Sequence, residues 1–238
     1  MKTIGVFQLL QKEFTSYEFE GKWKESFGEP AKNFTAIIYG DSGNGKTSFC
    51  VQTAKYCSGF AKVLYVSQEE GISKTMKRAF TLHKMDEVAG RVILAENVTI
   101  EELIKYLKKR NSPQIVFLDS VDRMRMKYEE FLLLLKSCPK KAFIFVAWSK
   151  GKEPNSATAK KIEYDVDIKI WVHQWKAYFR SRYGGNHPFL IWDKANSIPT
   201  TPEPKSEVKK EQPNESTTKK NTDQAVQPDQ KTMEEPRS

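Results

Sequence analysis

The stretch YGDSGNGKTSF, residues 39–49, places three glycines, a lysine and a threonine directly after an apolar run. Gly40, Gly45, Lys46 and Thr47 have the spacing of a phosphate-binding P-loop. Glycines let backbone N–H groups turn towards a phosphate, Lys46 would reach the β and γ phosphates, and Thr47 would ligate Mg²⁺. The alternative is a glycine-rich turn that occurs by chance. The residues predicted to hold the nucleotide are Gly40, Asp41, Ser42, Gly43, Asn44, Gly45, Lys46, Thr47 and Ser48.

A P-loop needs a second group on the metal side, usually a carboxylate that follows a buried strand. In QIVFLDS, residues 114–120, Asp119 follows four apolar residues and is the Walker B candidate for the Mg²⁺ site. The alternative is an acidic helix cap after a strand. Ser120 and not Glu follows Asp119, so the carboxylate that polarises water must come from another segment.

That carboxylate is expected in VLYVSQEEG, at the end of the next strand after the P-loop helix. Glu69 is the predicted general base, and Glu70 is the second choice. A carboxylate at this strand end could orient and deprotonate an attacking water. The alternative is two exposed acids in a loop.

Strands and helices alternate along the chain and would position these groups. The predicted strands are FTAIIYG, KVLYVS, RVILAE, QIVFLDS and AFIFVAW, and the predicted helices are 47–56, 72–83, 99–110 and 128–137. Such alternation predicts an α/β fold with a mostly parallel sheet flanked by helices. After Lys161, IEYDVDIKIWVH alternates with period two and is followed by KAYFRSRYGG and FLIW. We therefore expect antiparallel strands at the C-terminal edge.

Composition limits the domain organisation. The chain is 39% hydrophobic and 12% aromatic, enough for one sizeable core. From about residue 199 it becomes rich in Pro, Lys, Glu, Ser and Thr without an aromatic residue, which is typical of a disordered tail. The predicted divisions are an N-terminal extension 1–27, an ATPase domain 28–195 and a polar tail 196–238.

Charge and cysteine content indicate the compartment and partners. The formal charge is +9, and it belongs to the first 200 residues because the remainder carries seven basic and eight acidic groups. This excess favours an anionic partner such as nucleic acid, but a soluble basic protein fits equally. Three widely spaced cysteines suggest neither disulfides nor a zinc cluster. With no membrane-length apolar run, we expect a cytoplasmic protein without a membrane partner.

The order of these motifs, ending in antiparallel strands, resembles the RecA superfamily, and is similar to the RadA and DnaB ATPase cores over residues 28–195. The resemblance implies a RecA-like P-loop NTPase that hydrolyses ATP with Mg²⁺. It also implies a ring or filament on DNA, expected to be single-stranded.

The stretch FRSRYGG is similar to the family's Lys-Asn-Arg-Phe-Gly motif. By that match Arg180 stands for the lysine and Arg182 for an arginine finger that acts on a neighbouring subunit's γ phosphate. The alternative is a solvated basic strand edge. The sequence departs from the family in AFIFVAWSK, where Ala147 and Trp148 occupy the place of a polar γ-phosphate sensor and Ser149 is the nearest small polar residue.

Two segments correspond to loops that touch nucleic acid in RecA-like proteins. They are DRMRMK, residues 122–127, and SKGKEPNSATAKK, residues 149–161, the second expected to be a flexible loop. Their charges suit contacts with a phosphate backbone, although ordinary solvated loops are the alternative. The predicted nucleic-acid contacts are Arg123, Arg125, Lys127, Lys150, Lys152, Lys160 and Lys161.

These observations predict an Mg²⁺-dependent ATPase that acts on DNA in replication, recombination or repair, as a homo-oligomer in a bacterial or phage-infected cell. One alternative is a nucleotide-dependent regulator that controls a protein partner through the tail, without nucleic acid. A small-molecule P-loop kinase is a third reading, and it would need an arginine-bearing lid over the phosphates.

Overall fold

The computed structural model describes residue 1 and residues 3–192. Its centre is a sheet of nine strands in the order β3-β2-β4-β5-β1-β7-β8-β9, with β6 paired to β5 outside this path. The strands are β1 Thr35–Gly40, β2 Val63–Ser67, β3 Val92–Ala95, β4 Ile115–Asp119, β5 Ala142–Lys150, β6 Glu153–Pro154, β7 Ile168–His173, β8 Lys176–Ser181 and β9 Phe189–Leu190.

Seven α-helices are present among the described residues and cover both faces of this sheet. They are α1 Val6–Leu10, α2 Gly21–Phe27, α3 Lys46–Cys57, α4 Lys74–Leu82, α5 Ile100–Leu107, α6 Tyr128–Ser137 and α7 Ala157–Asp165, with a short 3₁₀ helix at Met85–Val88. Helices α2, α3 and α4 contribute to one apolar cluster, and α5, α6 and α7 contribute to the other. The predicted elements before residue 161 lie within three residues of their expected bounds.

The strands from β3 to β7 in the sheet order are parallel, and their carboxyl ends therefore share one edge. The residues of β2 and β4 are buried throughout, which explains their continuous apolar runs. Strand β5 separates the P-loop strand β1 from the Walker B strand β4, while β2 lies directly beside β4. The ends of β1, β2, β4 and β5 thus border one site.

The segment expected as an N-terminal extension supplies part of the core. Tyr17, Phe19, Trp23 and Phe27 are buried against residues of α3 and the sheet. Trp23 stacks on Tyr56 of α3 with ring centroids 4.6 Å apart. The packed fold therefore begins before residue 28. The predicted tail, 196–238, lies outside the described residues.

The strand expected in IEYDVDIKIWVH begins later than predicted. Residues 162–165 belong to α7, whose N-cap Ser156 accepts a hydrogen bond from the Ala159 backbone N–H. Ala159 and Ile162 are buried three residues apart on that helix. Strand β7 then starts at Ile168 and runs parallel to β1, so that the antiparallel pairing begins only with β8. The apolar spacing across this junction fits both periods, and the helix cap decides between them.

The expectation of a flexible loop over residues 149–161 was also wrong. Strands β5 and β6 form a hairpin in which Ser149 pairs with Pro154 and Lys150 with Glu153. The segment then enters α7 directly. Of the described helices, none is long and apolar enough to span a membrane.

Candidate functional site

The P-loop runs from the end of β1 into the first turn of α3. Gly45 has φ +97°, a left-handed conformation that favours glycine, and it is the N-cap of α3. A Cβ atom at Gly45 would lie 2.8 Å from Cε3 of Trp175, so the close approach also requires glycine. The Lys46 ammonium donates a 3.0 Å hydrogen bond to the carbonyl of Asp41 and thus lies across the loop.

The turn between β7 and β8 supports this loop from the side. The backbone N–H of Gln174 donates to Asn44 Oδ1 at 2.8 Å, and that of Trp175 donates to the Asn44 carbonyl at 3.2 Å. The Trp175 ring lies against Gly45 and lines the same cleft as Lys46. Sequence reasoning missed Trp175, because only the three-dimensional pairing of β7 with β1 brings this turn to the P-loop.

Asp119 ends β4 as predicted and is buried, with 4% of its surface exposed. Burial is the main reason why its pKa rises to about 7, and the nearby carboxylates Glu69 and Glu70 raise it further. The Tyr65 hydroxyl donates to Asp119 Oδ2 at 2.7 Å and opposes this rise, as does the charge of Lys46. Tyr65 reaches Asp119 because β2 lies beside β4 in the sheet. Sequence reasoning missed this contact.

Glu69 and Glu70 follow β2 and both line the cleft, but they have different partners. Glu70 Oε1 accepts a hydrogen bond of 3.1 Å from the Thr47 hydroxyl. Glu69 is exposed, and its Oε2 accepts a hydrogen bond of 2.8 Å from the indole N–H of Trp148. The structure therefore brings both candidate bases to the P-loop, with Glu70 beside the candidate metal ligand and Glu69 beside the end of β5.

The donors in this cleft are chemically suited to a nucleotide and Mg²⁺. The cleft has a volume of about 500 Å³, and Ser42, Gly43, Lys46, Thr47, Asp119 and both glutamates line it. A Cβ atom at Gly43 would meet nothing within 4 Å, so the loop is open on that side of Gly43. The described residues contain no group of three His, Cys, Asp or Glu side chains that could hold a metal ion. Mg²⁺ often takes one or two protein oxygens together with substrate phosphates and water, which this arrangement matches.

Helix α4 supplies the opposite wall of the cleft, with Arg78 and His83. His83 Nε2 lies 2.7 Å from the Ser48 hydroxyl of the P-loop. Burial, and then the charge of Lys55, lowers the pKa of His83, which favours the neutral ring. Neither residue belongs to a recognised motif, so the sequence offers no signal for them beyond their place after β2.

The structure places Arg182 at the amino end of β1 and Arg180 level with the middle of β1, and neither lines the P-loop cleft of its own chain. Arg180 pairs in register with Lys169, and the Arg182 backbone N–H donates to the Asp167 carbonyl, which lies beside Thr35. Thr35 and Gly40 are five residues apart on β1, roughly 16 Å at the usual strand rise. Both guanidinium groups are largely exposed, with carboxylates of Glu163 and Asp167 at 3.9 and 3.7 Å. They are not brought to the predicted cleft within one chain.

The seven predicted nucleic-acid contacts are exposed and follow β4 and β5 at the edge of the sheet that carries the cleft. The two segments meet where Asp122 Oδ2 accepts the Trp148 backbone N–H at 2.7 Å, and where the Lys161 ammonium lies over the Tyr128 ring. Two lysines have other partners: Lys160 forms a 2.7 Å ion pair with Glu153, and Lys152 lies over the Trp171 ring.

Comparisons with known proteins agree with this geometry. The sequence model of the "ATPase family associated with various cellular activities (AAA)" matches residues 36–148, from β1 into β5. No curated protein sequence matches the chain.

Two solved archaeal structures share the fold. The flagellar accessory protein FlaH from Methanocaldococcus jannaschii superposes with a TM-score of 0.54 at 15% identity, covering 74% of this chain and 92% of FlaH. A KaiC-like protein from Pyrococcus horikoshii OT3 superposes with a TM-score of 0.50 at 16% identity, covering 67% of this chain and 83% of that protein. The structural likeness shows that the chain has the fold of these proteins, and the AAA ATPase model matches the part of the chain that carries the P-loop and Asp119.

Proposed function

We propose that this ATPase hydrolyses ATP with Mg²⁺ and acts on DNA as a homo-oligomer. The observation that carries the proposal is the shared edge of the sheet. The P-loop, Glu69, the Walker B Asp119 and both basic segments all follow strands whose carboxyl ends lie there. A ligand on the basic segments would therefore be close in the structure to the groups that act on ATP.

The residues of the cleft have different roles in ATP hydrolysis. Lys46 and the backbone N–H groups of residues 42–47 bind the phosphates, while Thr47 and Asp119 would hold Mg²⁺. When bound there, Mg²⁺ would supply positive charge against the phosphate oxygens. The oxygen of water bonds to the γ phosphorus as the bond from phosphorus to the β–γ bridging oxygen breaks, and ADP leaves with that oxygen. Glu69 accepts the proton that the water loses.

The DNA surface is proposed from charge and position. Arg123, Arg125, Lys127 and Lys150 are exposed, and no carboxylate is recorded within ion-pair distance of them in the described part of the chain. Exposed cations of this kind bind a nucleic-acid backbone largely without reading its sequence. The ion pair of Lys160 with Glu153 makes Lys160 the weakest of the predicted contacts.

Two features support a homo-oligomer. Arg180 and Arg182 do not line the P-loop cleft of their own chain, so their proposed action on ATP requires a second subunit. In addition, the segment 4–14 exposes six large apolar side chains, which a contact with another chain would bury. They are Ile4, Val6, Phe7, Leu9, Leu10 and Phe14.

The same exposed segment keeps the regulator as a second candidate, because a different protein could cover it. The rate of ATP hydrolysis with and without single-stranded DNA separates the two. The DNA proposal expects a faster rate with DNA, together with binding at low salt. A rate that does not respond to DNA, with no detectable binding at low salt, would leave the regulator as the better account.

A further inference from the structure

Trp148 connects the end of β5 to the candidate base. Its indole N–H donates a hydrogen bond of 2.8 Å to Glu69 Oε2. Its backbone is fixed on both sides, since its N–H donates to Asp122 Oδ2 at 2.7 Å and its carbonyl accepts the Asn155 N–H at 2.9 Å. The backbone of Trp148 is therefore held by Asp122 after the Walker B strand and by Asn155 after β6.

The neighbouring residue ties the same strand end to the P-loop. Trp148 lies opposite Gly40 in the register of β5 with β1. The Ser149 hydroxyl donates to Asp41 Oδ1 of the P-loop at 2.8 Å. The end of β5 thus contacts the phosphate-binding loop through Ser149 and the carboxylate of Glu69 through Trp148.

The contact is a matter of orientation and not of core packing. Trp148 is 36% exposed and belongs to neither of the two core clusters. The indole nitrogen can donate a hydrogen bond but cannot accept one, so it selects an acceptor such as a carboxylate. The bond occupies Oε2, and Glu69 Oε1 makes no hydrogen bond to the described residues, which leaves it available to a water molecule in the cleft that Glu69 lines.

We propose that Trp148 is a positioning residue that holds the Glu69 carboxylate in the orientation required to activate water. The proposal rests on the role of Glu69 as general base.

The test is a set of single-turnover rates of ATP hydrolysis for the full chain and the variants Trp148→Phe, Glu69→Gln and the double variant. Trp148→Phe keeps an aromatic ring and removes the N–H. We expect it to lower the rate about tenfold, the order of one hydrogen bond to a charged group, with the dissociation constant of ATP changed less than about twofold. In the Glu69→Gln background the same substitution should change the rate less than about twofold, because the carboxylate it positions is absent.

Trp171→Phe is the matched control. The Trp171 indole N–H donates to the Gly151 carbonyl at 3.0 Å in the same hairpin and is bonded there, away from Glu69. The control should retain the full rate, and thermal melting should show that both variants fold.

Three results would overturn the proposal. They are an unchanged rate for Trp148→Phe, an equal loss for Trp171→Phe, and a full tenfold loss in the Glu69→Gln background, which would indicate that the indole contacts the phosphate directly. A Glu69→Gln variant with an unchanged rate would instead contradict the base assignment itself, and with it the premise of the proposal.

Discussion

The hydroxyl of Tyr65 donates a 2.7 Å hydrogen bond to the buried carboxylate of Asp119. The two residues lie on the neighbouring parallel strands β2 and β4. Burial nevertheless dominates the ionisation of Asp119 and raises its pKa from 3.8 to about 7. The hydrogen bond thus supports a carboxylate that is costly to ionise without a cation beside it.

This relationship predicts how stability depends on pH in the absence of Mg²⁺ and nucleotide. The folded protein binds the Asp119 proton more tightly than the unfolded chain, so stability falls as the pH rises from 3.8 to about 7 and stays lowered above it. Asp119→Asn removes the charge. We expect the variant's gain in melting temperature over the wild type to be larger at pH 8 than at pH 5. Thermal melts at both pH values measure this, and an equal difference at both would contradict it.

The second prediction concerns Lys46. Within the described residues its ammonium makes one hydrogen bond, to the Asp41 carbonyl, so it contributes charge and not core packing. Lys46→Ala should lower ATP hydrolysis by roughly 100-fold, as expected for loss of a group that stabilises phosphate charge, and leave the melting temperature nearly unchanged. The control is Lys62→Ala, which replaces an exposed lysine before the amino end of β2 and should keep full activity. Unchanged hydrolysis by Lys46→Ala would refute the P-loop role.

The third prediction separates the two glutamates. Glu69→Gln should retain ATP binding and slow hydrolysis by about 10²- to 10⁴-fold, because the amide keeps the shape and removes the base. Glu70→Gln changes the partner of the Thr47 hydroxyl, so it should weaken Mg²⁺-dependent ATP binding more than it slows the bound state. Binding titrations with single-turnover rates measure both effects. If the two phenotypes are exchanged, Glu70 is the base.

The parts of the site that the sequence could predict are those that local signals specify. Gly45, Lys46 and Asp119 are recognisable because a turn, a helix start and a strand end each require particular residue types in succession. Tyr65 and Trp175 were not predictable, because their contacts depend on which strands become neighbours in the sheet. Residues that are neighbours in space but distant in sequence produce no local pattern in the sequence.

The errors after Lys161 have a related cause. Ile162, Val166 and Ile168 are all buried, and their spacing fits the end of a helix followed by a strand as well as one alternating strand. The sequence assigns Ser156 to a flexible loop, whereas in the structure it is the N-cap of α7. The predicted parallel sheet was confirmed because it rests on five separate apolar runs, each of which independently favours a buried strand.

The last prediction concerns the basic hairpin and DNA. Lys150 and Lys152 lie in the β5–β6 hairpin, at the carboxyl end of the sheet and close to Trp148. Neutralising a phosphate releases counterions, so binding to single-stranded DNA should weaken steeply with salt, and each lost contact should lower the slope by about 0.7. Replacing both lysines by Ala should therefore weaken binding at low salt and reduce the slope by about 1.4, equally on two unrelated sequences.

The matched control is the double variant Lys108→Ala, Lys140→Ala, which removes the same amount of charge. These two exposed lysines precede the amino ends of β4 and β5. Fluorescence anisotropy over a salt series with ATP and Mg²⁺ measures all three proteins. The same loss in both double variants would show that net charge, and not the hairpin, attracts the DNA.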